Sequence, residues 1–274
     1  MNRRTFLATS GIAAPAVLSA SSPNHKPSSP PKTKIIVLGT NWGFPGDINA
    51  FCAAAKKAGY DGIEMWWQGD PVKRKALFEA LAHHELQIGY LCGGSQPDFD
   101  AHLKSFEASL KAASTQFDAK PLYINCHSGK DYFSYEQNKK FIDLTVEISE
   151  KSGIKVCHET HRGRMLYSAP ITRNFLERNP KMHLTLDISH WCNVHESLLA
   201  DQKETVDLAL KHVEHIHARI GHAQGPQVND PRAPEWKQVV EAHLKWWDVV
   251  VERKSRSNKP ATFLAEFGPP DYFP

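Results

Sequence analysis

The sequence predicts an α/β fold, a closed (β/α)8 TIM barrel that lacks its last helix. Three observations carry this: eight short β-rich runs, helical apolar patterns between them, and acidic or imidazole side chains at the ends of the last four runs. The 274 residues suit one barrel, which needs about 250, plus a leader.

The runs are Ile35–Leu38, Gly62–Trp67, Gln87–Cys92, Leu122–His127, Ile154–Glu159, His183–Asp187, Val213–His217 and Thr262–Glu266. Between the first two, Ile48, Phe51, Cys52 and Ala55 recur at helical spacing; Phe141, Leu144, Thr145 and Ile148 do the same between the fourth and fifth. Asp47 is placed to cap a helix start, and Gly59 and Gly153 to end helices. No GxGxxG turn follows the first run, which disfavours an open dinucleotide-binding sheet. The chain runs only a few residues past the eighth run, so either another subunit or the linker covers the place of a last helix, or the chain is shorter than its relatives; a large apolar strip would otherwise stay exposed.

Residues 1–31 read as an export signal and Ser/Pro-rich linker, and 32–274 as the barrel. Arg3-Arg4 precedes a small apolar stretch from Ala8 to Leu18, too short to span a bilayer, and small residues follow. This resembles a twin-arginine signal and implies an exported, periplasmic protein with no stable membrane insertion. Five cysteines form no CxxC pair, so buried thiols are expected rather than a disulfide framework. A formal charge of +3 is too small for a nucleic-acid footprint.

Strand side chains alternate between faces, which registers Glu159, Asp187, His217 and Glu266 inward at the C-terminal ends of four successive strands. Barrel enzymes keep their chemistry there. Unpaired, such charges are expensive to bury, and a divalent cation is the simplest compensation. Three carboxylates and one imidazole favour Mn²⁺, with Mg²⁺, Co²⁺ or Zn²⁺ acceptable. The competing reading is a set of separate ion pairs. On the same rim, His127 and His161 are placed to line a pocket. Glu64 either reaches it from strand two or is a buried structural carboxylate. Trp236, in the long segment after strand seven, is either packing or a platform for a sugar ring.

The runs Cys157-His158-Glu159-Thr160-His161, Leu186-Asp187-Ile188-Ser189-His190, His215-Ile216-His217-Ala218-Arg219 and Ala265-Glu266-Phe267-Gly268 resemble the metal-bearing strand ends of the xylose-isomerase-like superfamily. Gly59-Tyr60-Asp61-Gly62-Ile63-Glu64 is similar to its second-strand signature. That group includes sugar epimerases, inosose dehydratases and AP endonucleases, and the resemblance covers Lys34 to Pro270. It implies Glu159, Asp187, His217 and Glu266 as metal ligands, with Glu159 and Glu266 also the catalytic acid/base pair. It further implies that His190 binds a substrate oxygen or hydrogen-bonds a ligand. It implies too that Arg219 holds a substrate hydroxyl or carboxylate; the alternative is that Arg219 pairs with Glu266 or Asp187.

The implied activity is metal-dependent sugar isomerisation or epimerisation through an enediolate. A lyase or hydratase acting on 3-keto-glycosides through the same enediolate is the alternative, and a non-catalytic sugar-binding protein the third. DNA cleavage is disfavoured because strand three ends in Cys92-Gly93-Gly94 without a histidine. The expected partner is a small-molecule sugar or glycoside, with homo-oligomer formation open.

Overall fold

The structure, a computed structural model, describes residues 33–269 and Tyr272. The export signal and linker expected over residues 1–31 lie outside the described residues, apart from which the expected strands all form. They are β1 (Ile35–Thr40), β2 (Gly62–Trp66), β3 (Gln87–Gly93), β4 (Tyr123–His127), β5 (Lys155–Glu159), β6 (His183–Leu186), β7 (Val213–His217) and β8 (Ala261–Ala265). All pair in parallel in sequence order, and β8 closes onto β1 through Ile35↔Ala261 and Leu38↔Leu264.

Eight α-helices accompany them: α1 (Ile48–Lys57), α2 (Pro71–His84), α3 (Phe99–Thr115), α4 (Tyr135–Ser152), α5 (Ala169–Arg178), α6 (Ile188–Val194), α7 (Lys203–His212) and α8 (Lys237–Arg256). Two of these, α6 and α7, share the β6–β7 connection; among the described residues none follows β8. Local chemistry fixes their ends. Asp47 caps α1 by accepting from the Ala50 N–H, Ser134 and Gln137 form a reciprocal box at α4, and Gly153 ends α4 at φ 64°.

Although no described helix follows β8, the outer faces of β8 and β1 are largely covered. Phe263, on the outer face of β8, is 2% exposed and meets Trp247 of α8 edge-on. The Tyr60 ring covers the outer side of Gly39 on β1. Ile35 is left 38% exposed.

Outside the strands, apolar side chains form two shells, one around β2–β5 and one around β6–β8. Inside, Ile36, Leu38, Tyr123 and Leu264 make an apolar floor. Tyr123 crosses the interior over Gly89, where any Cβ would lie 2.5 Å from its ring and hydroxyl. That glycine admits the phenol to the barrel axis, directly below the polar layer described next. All five cysteines are buried and unpaired, as expected. No described helix is long and apolar enough to cross a membrane.

Candidate metal centre

Glu159, Asp187, His217 and Glu266 converge at the C-terminal mouth of the barrel. Asp187, His217 and Glu266 bring one donor atom each within 4.8 Å of one another, and Glu159, Asp187 and His190 form an overlapping set. His217 Nδ1 lies 2.9 Å from Glu266 Oε2 and 3.6 Å from Glu159 Oε2. Asp187 caps α6: its carboxylate accepts from the Ser189 N–H and hydroxyl. The short, aperiodic α6 starts there because a side-chain oxygen satisfies its first free donors.

The donor chemistry fits a hard divalent cation. His217 Nδ1 and Glu266 Oε2 are both buried and meet at 2.9 Å as an ion pair, with no hydrogen bond of proper geometry to any group. That separation is what adjacent donors adopt around a cation with bonds of about 2.1 Å. Buried polar atoms without a hydrogen bond are rare in native proteins, and one shared cation would satisfy both.

Arg219 is the guanidinium that touches this set. It pairs with Asp187, donates to His190 Nε2 at 2.8 Å and to Ser189 Oγ at 3.3 Å, and lies 3.5 Å from Glu266 Oε1. Burial disfavours its charge, but Asp187 and Glu266 outweigh this and push its pKa above the usual range. Its Nη1 has no hydrogen-bond partner.

One layer deeper sits Glu64, fully buried. Tyr123 donates its hydroxyl proton to Glu64 Oε2 at 2.7 Å, and His215 Nε2 lies 3.3 Å from the same oxygen. His217 Nε2 is 3.1 Å from Glu64 Oε1. Glu64 is thus a buried carboxylate in contact with both His215 and His217, and the three together form another group that could hold an ion. Such a carboxylate partner fixes an imidazole's tautomer and orientation and raises its basicity toward a cation. Glu64→Gln is expected to weaken metal affinity about 10–100-fold in a competitive chelator titration, and unchanged affinity would refute the role. His215 packs flat on Tyr123 at 3.8 Å and bonds to Thr262, a core position as its depth in the strand implies.

Burial lowers the His217 pKa, but Glu64, Glu159 and Glu266 outweigh it and hold the imidazole well above its ordinary value. Metal-free His217 is then protonated around neutrality, and cation binding must displace that proton. Apparent affinity is expected to fall about tenfold from pH 7 to pH 6, and a pH-independent affinity would contradict this. Glu159 shows the opposite balance. Burial raises its pKa, yet His127 and His217 hold it well below the carboxylate range.

Three imidazoles ring the cluster. His127 Nε2 is 2.7 Å from Glu159 Oε2, the His127 and His161 rings are 4.9 Å apart, and those of His161 and His190 are 3.8 Å apart. Burial pushes the His161 pKa down to about 4 and holds His190 well below its ordinary value, so both are neutral. With Nε2 of His190 accepting from Arg219, its proton belongs on Nδ1, which is buried with no partner. By contrast His158, on the opposite register from Glu159, is held by Ser128 and Thr145 in the core.

Thus the expected residues Glu159, Asp187, His217, Glu266, His190, Arg219, His127 and His161 come together, with Glu64 behind them. Trp236 does not join them through any described contact. It donates to Asn229 at 2.6 Å and packs on His222 at 4.7 Å. Sequence reasoning missed Asn125, which donates to Glu159 Oε2 at 2.6 Å and lies 3.1 Å from His217 Nε2. Its inward register, two residues before His127, was the available signal. It also missed Ser189, which bonds to Asp187.

A family model described as a xylose isomerase-like TIM barrel matches residues 52–227. Among solved structures, the chain is similar to 3-keto-D-glucoside 4-epimerase from E. coli at 14% identity and a TM-score of 0.58, covering 87% of this chain and 95% of that one. It is similar to the IolI protein with a bound zinc atom at 15% identity and a TM-score of 0.59, covering 87% and 91%. The probable 3-DHS dehydratase AsbF of petrobactin synthesis from Bacillus anthracis follows at 18% identity and a TM-score of 0.55, covering 86% and 94%. At these identities the likeness shows the fold alone. No curated protein matches the sequence.

Proposed function

The chain belongs to the xylose isomerase-like TIM barrel family, and from that premise we propose that it is a metal-dependent sugar isomerase or epimerase. The observation that carries this reading is the facing pair of buried donors, His217 Nδ1 and Glu266 Oε2, set among Glu159 and Asp187. A zinc atom bound in one structural neighbour, and sugar epimerisation in the name of another, support it. The proposed ligands are Glu159, Asp187, His217 and Glu266, and the proposed ion is Mn²⁺, with Mg²⁺, Co²⁺ or Zn²⁺ acceptable to the same donors. When bound, such a cation polarises a sugar carbonyl and acidifies the adjacent C–H.

The chain's own groups supply the rest. Glu159, held ionised by its imidazole neighbours, removes the proton from the carbon beside the carbonyl, leaving an enediolate. Glu266, three strands further round the barrel, returns a proton to that carbon or its neighbour, so that the substrate neither gains nor loses atoms. The His190 Nδ1–H, buried without a partner, and Arg219 Nη1, which makes no hydrogen bond, hold substrate oxygens, and His127 and His161 line the approach.

Deuterium wash-in from D₂O over a panel of free and 3-keto sugars, with and without chelator, tests the reading. Metal-dependent exchange without loss of a substituent is expected. Release of water or an aglycone would move the protein to the lyase or hydratase alternative. Sugar binding with no exchange on any substrate would replace catalysis with a binding role.

The export reading stands as a companion proposal. Replacing Arg3 and Arg4 together by Lys is expected to leave the protein in the cytoplasm, and periplasmic accumulation of that double variant would contradict twin-arginine export.

A further inference from the structure

Among the described residues no helix follows β8. Gln227, in the segment after β7, fastens the chain beyond β8 at both backbone groups of Gly268: the Gly268 N–H donates to Gln227 Oε1 at 2.7 Å, and Gln227 Nε2 donates to the Gly268 carbonyl at 3.1 Å. Both residues are buried. The Tyr272 N–H then bonds back to the Pro269 carbonyl at 3.1 Å. Gly268 stands where two aromatic side chains meet. A Cβ there would lie 2.7 Å from the Trp42 indole and 3.0 Å from the Tyr272 Cβ.

This close approach sets the Tyr272 ring edge-on to Trp42 at 5.1 Å. The Arg219 guanidinium carbon lies over the same ring at 4.6 Å, and that of Arg162 at 5.4 Å. The Arg219 side chain is 1% exposed. A guanidinium stacked at that distance has no space for a ligand between itself and the ring; its edge carries Nη1, which makes no hydrogen bond and lies 3.5 Å from Glu266 Oε1. A ligand that bonds to Nη1 therefore lies beside the Tyr272 ring stacked on the same guanidinium.

We propose that Tyr272 is a specificity-determining residue that closes the mouth and lays its ring against the C–H face of a monosaccharide-sized keto-sugar. This rests on the sugar reading of the site. A sugar is matched to such a corner because its C–H face packs on an aromatic ring while its hydroxyl edge meets a hydrogen-bond donor. The same ring hinders glycosides that carry a bulky aglycone.

Three variants test this: Tyr272→Ala, Tyr272→Phe and Gly268→Ala, the last dislodging the ring without removing it. One readout needs neither metal nor sugar: modification of His127 and His161 by diethyl pyrocarbonate, resolved by peptide mass spectrometry against the exposed His83 as internal reference. The second is KM and kcat on the keto-sugar accepted by the wild type. Tyr272→Ala and Gly268→Ala are expected to modify His127 and His161 severalfold faster. KM is expected to rise about tenfold, more than kcat falls, with discrimination against glycosides relaxed. Tyr272→Phe should match the wild type in both. Unchanged modification and KM in Tyr272→Ala would overturn the proposal. Faster modification in a protein that turns over no sugar would leave closure by Tyr272 standing and remove the sugar reading.

Discussion

Glu159→Gln is expected to abolish solvent exchange into a keto-sugar, lowering kcat by about 10²–10⁴-fold while the barrel stays folded. Glutamine keeps the shape and one acceptor oxygen but cannot take a proton from carbon. The native carboxylate is held ionised, since Asn125 and His127 bond to Oε2 and burial is outweighed by the imidazoles around it. Glu266→Gln should give the same loss for the returning proton. Exchange is read by NMR or mass spectrometry on metal-loaded protein with the metal content of each variant measured in parallel. Normal turnover by both variants would remove the two-carboxylate mechanism.

Arg219→Met is expected to cost about 3 kcal/mol in metal-free protein, lowering Tm by roughly 6–12 °C. Asp187 is 0% exposed and Arg219 is its charged partner, so the variant strands a buried carboxylate with Ser189 for company. The informative part is the rescue. If the carboxylates hold a cation, adding Mn²⁺ supplies the missing charge and should restore most of the lost Tm. A loss of stability that no divalent ion repairs would mean that the cluster is a structural ion-pair network, the reading that competes with a metal site from the sequence onward. Thermal unfolding with and without chelator distinguishes the two.

Much of this was legible before the fold was described, for identifiable reasons. A strand end has only two faces, so the apolar neighbours Leu186 and Ile216 force Asp187 and His217 inward, and the structure buries Leu186 and Ile216 against the helices. Alternation does not report depth along the barrel axis. Glu64 shares the inward register, but strand stagger puts its carboxylate under His217, which no local pattern encodes. The ion pairs of Arg219 were open for the same reason: register brings Arg219, Asp187 and Glu266 to one place, while partner choice depends on distances set by all three strands. Helix α6 spans seven residues, too short for a periodic stripe, and starts on an aspartate that reads first as a ligand. Tyr272 was least accessible. Its position depends on a glutamine 45 residues upstream (272 − 227) that holds the backbone of Gly268, and backbone contacts between irregular segments leave no periodic trace.

The central claim is tested most directly by the metal content of the purified barrel, measured by plasma mass spectrometry after exhaustive desalting and again after reloading a chelated sample. One equivalent of divalent ion per chain, lost in His217→Ala and in Asp187→Asn, is the predicted result. Wild-type protein that holds none and takes up none at millimolar Mn²⁺ or Zn²⁺ would contradict the account at its root.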